Sequence, residues 1–353
     1  MFVMGHPAHV HLFRNTIAGL GKRGHETSTV AVKKESTIAL LNHYKIPCEV
    51  FGTDRKVLTS KVLDILPRDL SLLKFAARAE PDIIVSTGSP YAAQVSKVLG
   101  IPHVAFGDTE IAGTITKMML PFTDAICTPS CFSLDLGAKH IRYNGYKEIA
   151  YLHPNYYRPD PSVLERIGMV HGEKYSVIRL ASWTSSHDVG EKGFNFSSAE
   201  QAMDFLKSME RWGRVVLTTE MPLPGEFDRY LNKLPLHMVH DLLNYASLYV
   251  GEGATMASEA GVLGTPWIFV SEAGRGYLND QQTNYGLGYH VKSADEARQK
   301  AEEILSNTNA KGEWEEKRKK LLHDKIDVTA FIINFLERWP ESFKEEKRRA
   351  SER

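Results

Sequence analysis

Residues 248–266 read Leu248-Tyr-Val-Gly-Glu-Gly-Ala-Thr-Met-Ala-Ser-Glu-Ala-Gly-Val-Leu-Gly-Thr-Pro266. An apolar run suited to a buried strand enters a Gly-Glu-Gly turn and continues into residues that favour helix. A strand that turns through glycine straight into a helix leaves the first-turn N–H groups without intrahelical partners, beside a backbone that no side chain obstructs. The helix dipole is positive at that end, so such a start binds phosphate. The order of residues therefore points to a phosphate at the turn, with the Thr255 hydroxyl as a further donor. Glu259 lies four residues on, one turn deeper on the same face. A carboxylate there accepts hydrogen bonds from a ribose diol. A glycine turn also serves plain backbone geometry, so the surroundings have to carry part of the reading.

The strand-then-helix order recurs on both sides of this stretch. In the second half, strands are expected at Ser176–Leu180, Val215–Thr218, Leu248–Gly251 and Trp267–Val270. Ser293-Ala-Asp-Glu296 forms a capping box for a helix that runs to Ser306. The first half alternates Phe2–Met4, a helix near Val10–Lys22, Thr27–Val30, a helix over Glu35–Tyr44, the run Asp82–Val85, a helix over Ala92–Leu99, and Pro102–Phe106. Continuous apolar strands between helices are the signature of a parallel sheet covered on both faces. A length of 353 residues suits two cores better than one. We therefore expect an α/β protein with a Rossmann-like domain over 1–155 and a linker over 156–174, at and just before whose start Pro154, Pro159 and Pro161 crowd the chain. A second Rossmann-like domain follows over 175–326, then an amphipathic helix carrying Val328, Phe331, Ile332 and Phe335 and a polar tail, 327–353.

Charge is balanced, with 43 Lys and Arg against 43 Asp and Glu, which argues against a nucleic-acid-coating role. The apolar runs, such as Trp267–Val270, fall far short of the roughly 20 residues that cross a bilayer. The N-terminus lacks the features of a secretory signal, so a cytoplasmic location is expected, with peripheral membrane contact and oligomeric state left open. Cys48, Cys127 and Cys131 lack the partners of a zinc site and read as reduced thiols.

Three further loops should face the carboxyl edges of the sheets, where ligands of open α/β folds bind. Gly5-His-Pro-Ala-His-Val-His11 carries three histidines but no accompanying acid or thiol, so no metal site is expected. His9 is a candidate for acid–base work, because imidazole titrates near neutrality. Arg179-Leu-Ala-Ser-Trp-Thr-Ser-Ser-His-Asp-Val-Gly-Glu-Lys-Gly193 offers Arg179 and Lys192 as cations for a departing diphosphate and His187 as a proton donor. Phe106-Gly-Asp-Thr-Glu110 places Asp108 at the end of another strand.

The 248–266 stretch resembles the second-domain nucleotide motif of the GT-B superfamily, in its small-residue turn, its helix Glu and its Gly-x-Pro before the next strand. It is similar to the peptidoglycan GlcNAc transferase and to non-hydrolysing UDP-GlcNAc 2-epimerases. The resemblance implies two Rossmann-like domains facing each other across a cleft, with the last helix returning to the first domain. It implies the diphosphate on Gly253, Ala254 and Thr255, the ribose on Glu259, and the base against main-chain groups near Met238-Val-His-Asp241. Asn279-Asp-Gln-Gln282 matches the transferase segment that contacts the donor sugar, which makes Gln281 and Gln282 sugar-binding candidates. His9 matches the histidine that faces the acceptor, and Asp108 one catalytic acid of the epimerases, whereas Ser89 stands where they have Asp. Within the superfamily, the His-Pro-Ala-His-Val-His opening and the Ser-His-Asp-Val-Gly-Glu-Lys-Gly loop resemble those of a prokaryotic family with no assigned substrate.

These features imply a glycosyltransferase that uses a UDP-linked sugar, with an unassigned acceptor and no cofactor beyond that substrate. An epimerase of the UDP-GlcNAc 2-epimerase kind and a non-catalytic sugar-nucleotide sensor are the alternatives. The absence of a carboxylate at Ser89 speaks against epimerisation.

Overall fold

The computed structural model describes residues 1–52, 65–110, 113–170, 172–180, 193–219 and 222–352, with the backbone alone for 65–69. The chain forms two units, 1–151 with 326–353, and 152–325.

Among the described residues, the first unit is built on a seven-stranded parallel sheet of β1 (Phe2–Met4), β2 (Thr29–Val32), β3 (Glu49–Phe51), β4 (Ile84–Ser86), β5 (His103–Phe106), β6 (Ala125–Pro129) and β7 (His140–Tyr143). The spatial order is β3-β2-β1-β4-β5-β6-β7. Its central strands are wholly buried because helices cover both faces, which is why they read as unbroken apolar runs rather than alternating ones. Strand β2 lies two residues beyond the expected Thr27–Val30, because the apolar residues that bury it are Val30, Ala31 and Val32. Order reverses between β1 and β4, and loops leaving the two strands at such a switch point diverge to open a crevice. The helix Val328–Glu337 belongs to this unit and buries Val328, Ile332, Ile333 and Phe335, each worth roughly 1.5–3 kcal/mol. Gly19 lets it cross the helix Pro7–Lys22 closely, because a Cβ there would collide with Ile333 Cδ1. Thr329 Oγ1 and Asn15 Nδ2, one from each helix, both donate to the Ala150 carbonyl, at 2.6 and 3.0 Å.

The second unit holds a five-stranded parallel sheet of β8 (Tyr175–Leu180), β9 (Arg214–Thr219), β10 (Leu248–Gly251), β11 (Trp267–Val270) and β12 (Gly288–Val291), ordered β12-β11-β10-β8-β9. Its switch point falls between β8 and β10. Ser293 caps the helix as expected, with Glu296 N–H donating to Ser293 Oγ at 3.2 Å, while the Glu296 carboxylate returns to the Lys292 amide, one residue before the cap, at 2.9 Å. The proline-rich 156–174 segment is part of this unit, where Val163 and Leu164 are buried in the short helix Ser162–Arg166. Prolines deny the segment long regular elements, yet its polar groups find fixed partners. The Tyr157 hydroxyl and the Asp160 amide both donate to Asp241 Oδ1, at 2.7 and 3.0 Å.

Candidate functional site

At the switch point of the second sheet, β10 ends at Gly251 and the helix Ala254–Leu263 begins behind Gly253, its N-cap. No side chain caps this helix, and the amides of residues 254–256 have no partner among the described residues. Arg179 is the penultimate residue of the adjacent β8, and its stem crosses the turn. A Cβ on Gly253 would lie 2.7 Å from Arg179 Cδ and 2.9 Å from its Nε. One on Gly251 would lie 2.7 Å from the Arg179 carbonyl oxygen. A Cβ at either glycine would collide with Arg179, so both glycines let this residue lie against the turn that starts the helix.

Two side chains brace the turn from below. Tyr249 donates its hydroxyl to the Gly253 carbonyl at 2.9 Å, and burial pushes its phenol well above the usual range, so it stays a neutral donor. Glu252 Oε1 accepts from the Phe194 amide at 2.9 Å, tying the turn to the chain just beyond residue 192. Lys192 and His187 lie outside the described residues.

Deeper on the same helix, Glu259 is 4% exposed, and its Oε1 stands 3.0 Å from His240 Nε2, itself on a residue 2% exposed. Gln281 is fully buried. Its Oε1 accepts from Trp267 Nε1 at 3.1 Å and its Nε2 donates to Ser258 Oγ at 2.7 Å. Gln282 Oε1 accepts from the His290 amide at 2.7 Å. Both amides expected on a sugar are therefore bonded within the protein. Gln281 knits its helix to the neighbouring one, while Gln282 holds β12.

At the rim of the first sheet, His9 bridges the two loops of the switch point. Its Nδ1 accepts from the Gly5 amide at 3.1 Å and its Nε2 meets Thr87 Oγ1 at 2.6 Å. Since Nδ1 is an acceptor, Nε2 carries the proton and donates to Thr87. Desolvation first, then the charges of His6, Lys147 and Lys34, press the His9 pKa down to about 3. As placed, His9 is a neutral clamp with both nitrogens used, and it offers no lone pair to an acceptor hydroxyl. Ser89, where the epimerases carry Asp, caps the helix Pro90–Leu99 by accepting from the Ala92 amide at 3.3 Å.

Asp108 is paired with Lys147, Nζ standing 2.5 Å from Oδ2, and its Oδ1 accepts from Thr109 Oγ1 at 3.0 Å. Lys147 follows β7, far along the chain from Asp108. No motif surrounds it, so a reading of the sequence passes it over, as it does Tyr249 and His240.

Residues 3–334 match the model of the family described as protein of unknown function DUF354. The chain belongs to this family. No curated protein matches it in sequence. Among solved structures it is similar to a putative UDP-N-acetylglucosamine 2-epimerase from Listeria monocytogenes, at 14% identity and TM-score 0.63 over 93% of both chains. It is similar to MnaA from S. aureus in complex with UDP, at 11% identity and TM-score 0.66 over 97% of this chain and 96% of that one. The glycosyltransferase VinC in complex with dTDP matches at 13% identity and TM-score 0.61 over 99% of this chain and all of that one. At such identities the likeness concerns the fold, and the fold is the GT-B one expected from the sequence.

Proposed function

We propose that this protein is a glycosyltransferase whose donor is a UDP-linked sugar. The observation that carries the reading is the Arg179 stem crossing the Gly251–Gly253 turn at the β8–β10 switch point. Diphosphate oxygens would accept from the first-turn amides at Ala254 and Thr255 and from Arg179. As the bond from the anomeric carbon to phosphate oxygen breaks, the electron pair passes to the diphosphate, and these donors stabilise it where charge develops. Glu259 would take the ribose hydroxyls. Asp108 keeps its expected role as the base that takes the proton of the acceptor hydroxyl. Lys192 and His187 keep their expected roles as a second cation and a proton donor to the departing diphosphate. UDP-bound MnaA and dTDP-bound VinC support a nucleotide in this fold. The epimerase relative makes epimerisation the competing reading.

One experiment separates these readings. The protein is incubated with UDP-GlcNAc in deuterated water without an acceptor, and the sugar is followed by NMR. Saturation transfer to the nucleotide with full retention of the C2 proton is expected. Rapid deuterium uptake at C2 would favour the epimerase, and no saturation transfer would remove the donor site altogether.

A further inference from the structure

At the edge of the five-stranded sheet, β9 holds one buried residue whose backbone is left without partners. Even-numbered residues of β9 turn towards β8, as the Arg214 amide does in donating to the Lys174 carbonyl at 3.0 Å. The odd-numbered residues between them turn outwards. Leu217 is met there by the returning chain, its N–H donating to the Tyr230 carbonyl at 2.6 Å and its carbonyl accepting from the Asn232 amide at 2.7 Å. Val215 faces the same way and is 3% exposed, yet neither its N–H nor its carbonyl has a hydrogen-bond partner among the described residues. Buried backbone groups are nearly always paired, so a donor and an acceptor left open on one residue call for an occupant.

Val215 opens on a cavity of about 440 Å³, within the range of small binding sites. It lies between the end of the helix Ser162–Arg166, the start of β9 and residues 228–235, with Leu231, Leu234 and Pro235 as an apolar wall. Four exposed cations, Arg166, Arg214, Arg229 and Lys233, stand around it against one acid, Asp228. Arg214 donates to the Ile167 and Gly168 carbonyls and Arg229 is paired with Glu210, whereas Arg166 and Lys233 form no ion pair with a described residue.

To complete Val215, an occupant has to offer an acceptor and a donor across one extended residue, as Leu231 with its flanking peptide groups does for Leu217. A peptide does this. Residues 230–232 already cover Leu217, so the open edge is one residue long and suits a short extended segment rather than a whole strand. The surplus of cations sets the charge of that segment. We infer that the cavity is a docking site for a short acidic peptide segment of a partner, which pairs with Val215 by strand addition and sets its carboxylates against Arg166 and Lys233. The site lies at the start of β9, away from the carboxyl ends of the strands where the donor is proposed, and the inference does not rest on that reading.

The test is NMR of the full chain, isotope-labelled at the valine nitrogens and titrated with acetyl-Asp-Glu-amide. The Val215 amide signal is expected to shift saturably, while that of Val216, which faces β8, stays in place. Acetyl-Ala-Ala-amide should bind about 10-fold more weakly, and acetyl-Asp-Glu-amide should lose about as much on the double variant Arg166→Glu/Lys233→Glu. The comparison of the two peptides on wild type stands even where the variant fails to fold. No shift at Val215 would overturn the proposal, as would equal binding of the neutral peptide or of the acidic peptide to a folded variant. The same Val215 shift with inorganic phosphate alone would mean that the cavity reads charge without a peptide group, and would overturn it too.

Discussion

At the rim of the first sheet His9 is gripped from both sides, by the Gly5 amide and by Thr87, and Asp108 is closed by Lys147. At the rim of the second sheet the amides of residues 254–256 have no partner among the described residues, and Arg179 is threaded across two glycines to stand beside them. Both rims are switch points of parallel sheets, and fold alone would give them equal standing as binding sites. Where the protein has satisfied its own polar groups, a ligand must displace a bond to make one. Where the described residues leave amides without partners beside a turn kept clear by glycine, a ligand could bond to them without displacing any of those residues.

The largest effect that could break this contrast is acid sensitivity of the first unit. His9 and the fully buried His103 both have pKa values lowered to about 3, desolvation being the main cause in each. His103 is enclosed by Ser86 Oγ at 2.9 Å and Thr123 Oγ1 at 3.0 Å. Thr123 spends its proton on the Met119 carbonyl, so His103 donates from Nδ1 and accepts from Ser86 at Nε2. The folded state therefore prefers neutral rings. Their contribution is complete above the unfolded pKa near 6.5 and is lost as pH falls from there towards 3. For His103 this is an upper bound of about 5 kcal/mol over the whole window, and solvent screening makes it less for the part-exposed His9. Denaturant unfolding at pH 7 and pH 5 should show His103→Gln losing about 2 kcal/mol less than wild type between the two. An identical loss would mean that the ring is not held neutral.

A middle-sized effect sharpens the contrast directly. Arg179→Ala should weaken UDP about 10- to 100-fold, the worth of a charge-assisted hydrogen bond, whereas Lys147→Ala should leave UDP affinity within about 2-fold. Calorimetry of the two variants side by side decides it. Comparable losses would erase the distinction between the rims for donor binding.

The smallest effect concerns Ser89. As an N-cap it contributes about 1 kcal/mol, so Ser89→Ala should lower stability by that amount and leave nucleotide affinity alone. A weaker affinity for UDP-GlcNAc with unchanged stability would instead make Ser89 a substrate contact.

Roles that rest on the backbone are legible in the order of residues. The Gly251–Gly253 turn, the helix behind it and the cap at Ser293 are local, and each depends on residues within one or two turns of each other. Roles that rest on side chains are not. The amides of Gln281 and Gln282 look the same in sequence whether they face a sugar or a neighbouring indole, and the structure puts Trp267 and the His290 amide against them. His9 has a near-neutral reference pKa, but burial lowers it, and Thr87, from the loop after β4, takes its Nε2.

The sequence by itself determined the class of this protein: two parallel α/β sheets and a glycine turn that opens a helix. It could do so because hydrophobic period and turn chemistry act over a few residues. Only the tertiary structure decided which polar side chains are spent within the protein and which stand at a binding surface. Asp108 and Lys147 are brought together from β5 and β7, and His240 and Glu259 from helices on either side of β10. A proton or a charge is governed by the few ångströms around it, and those neighbours are set by packing rather than by distance along the chain.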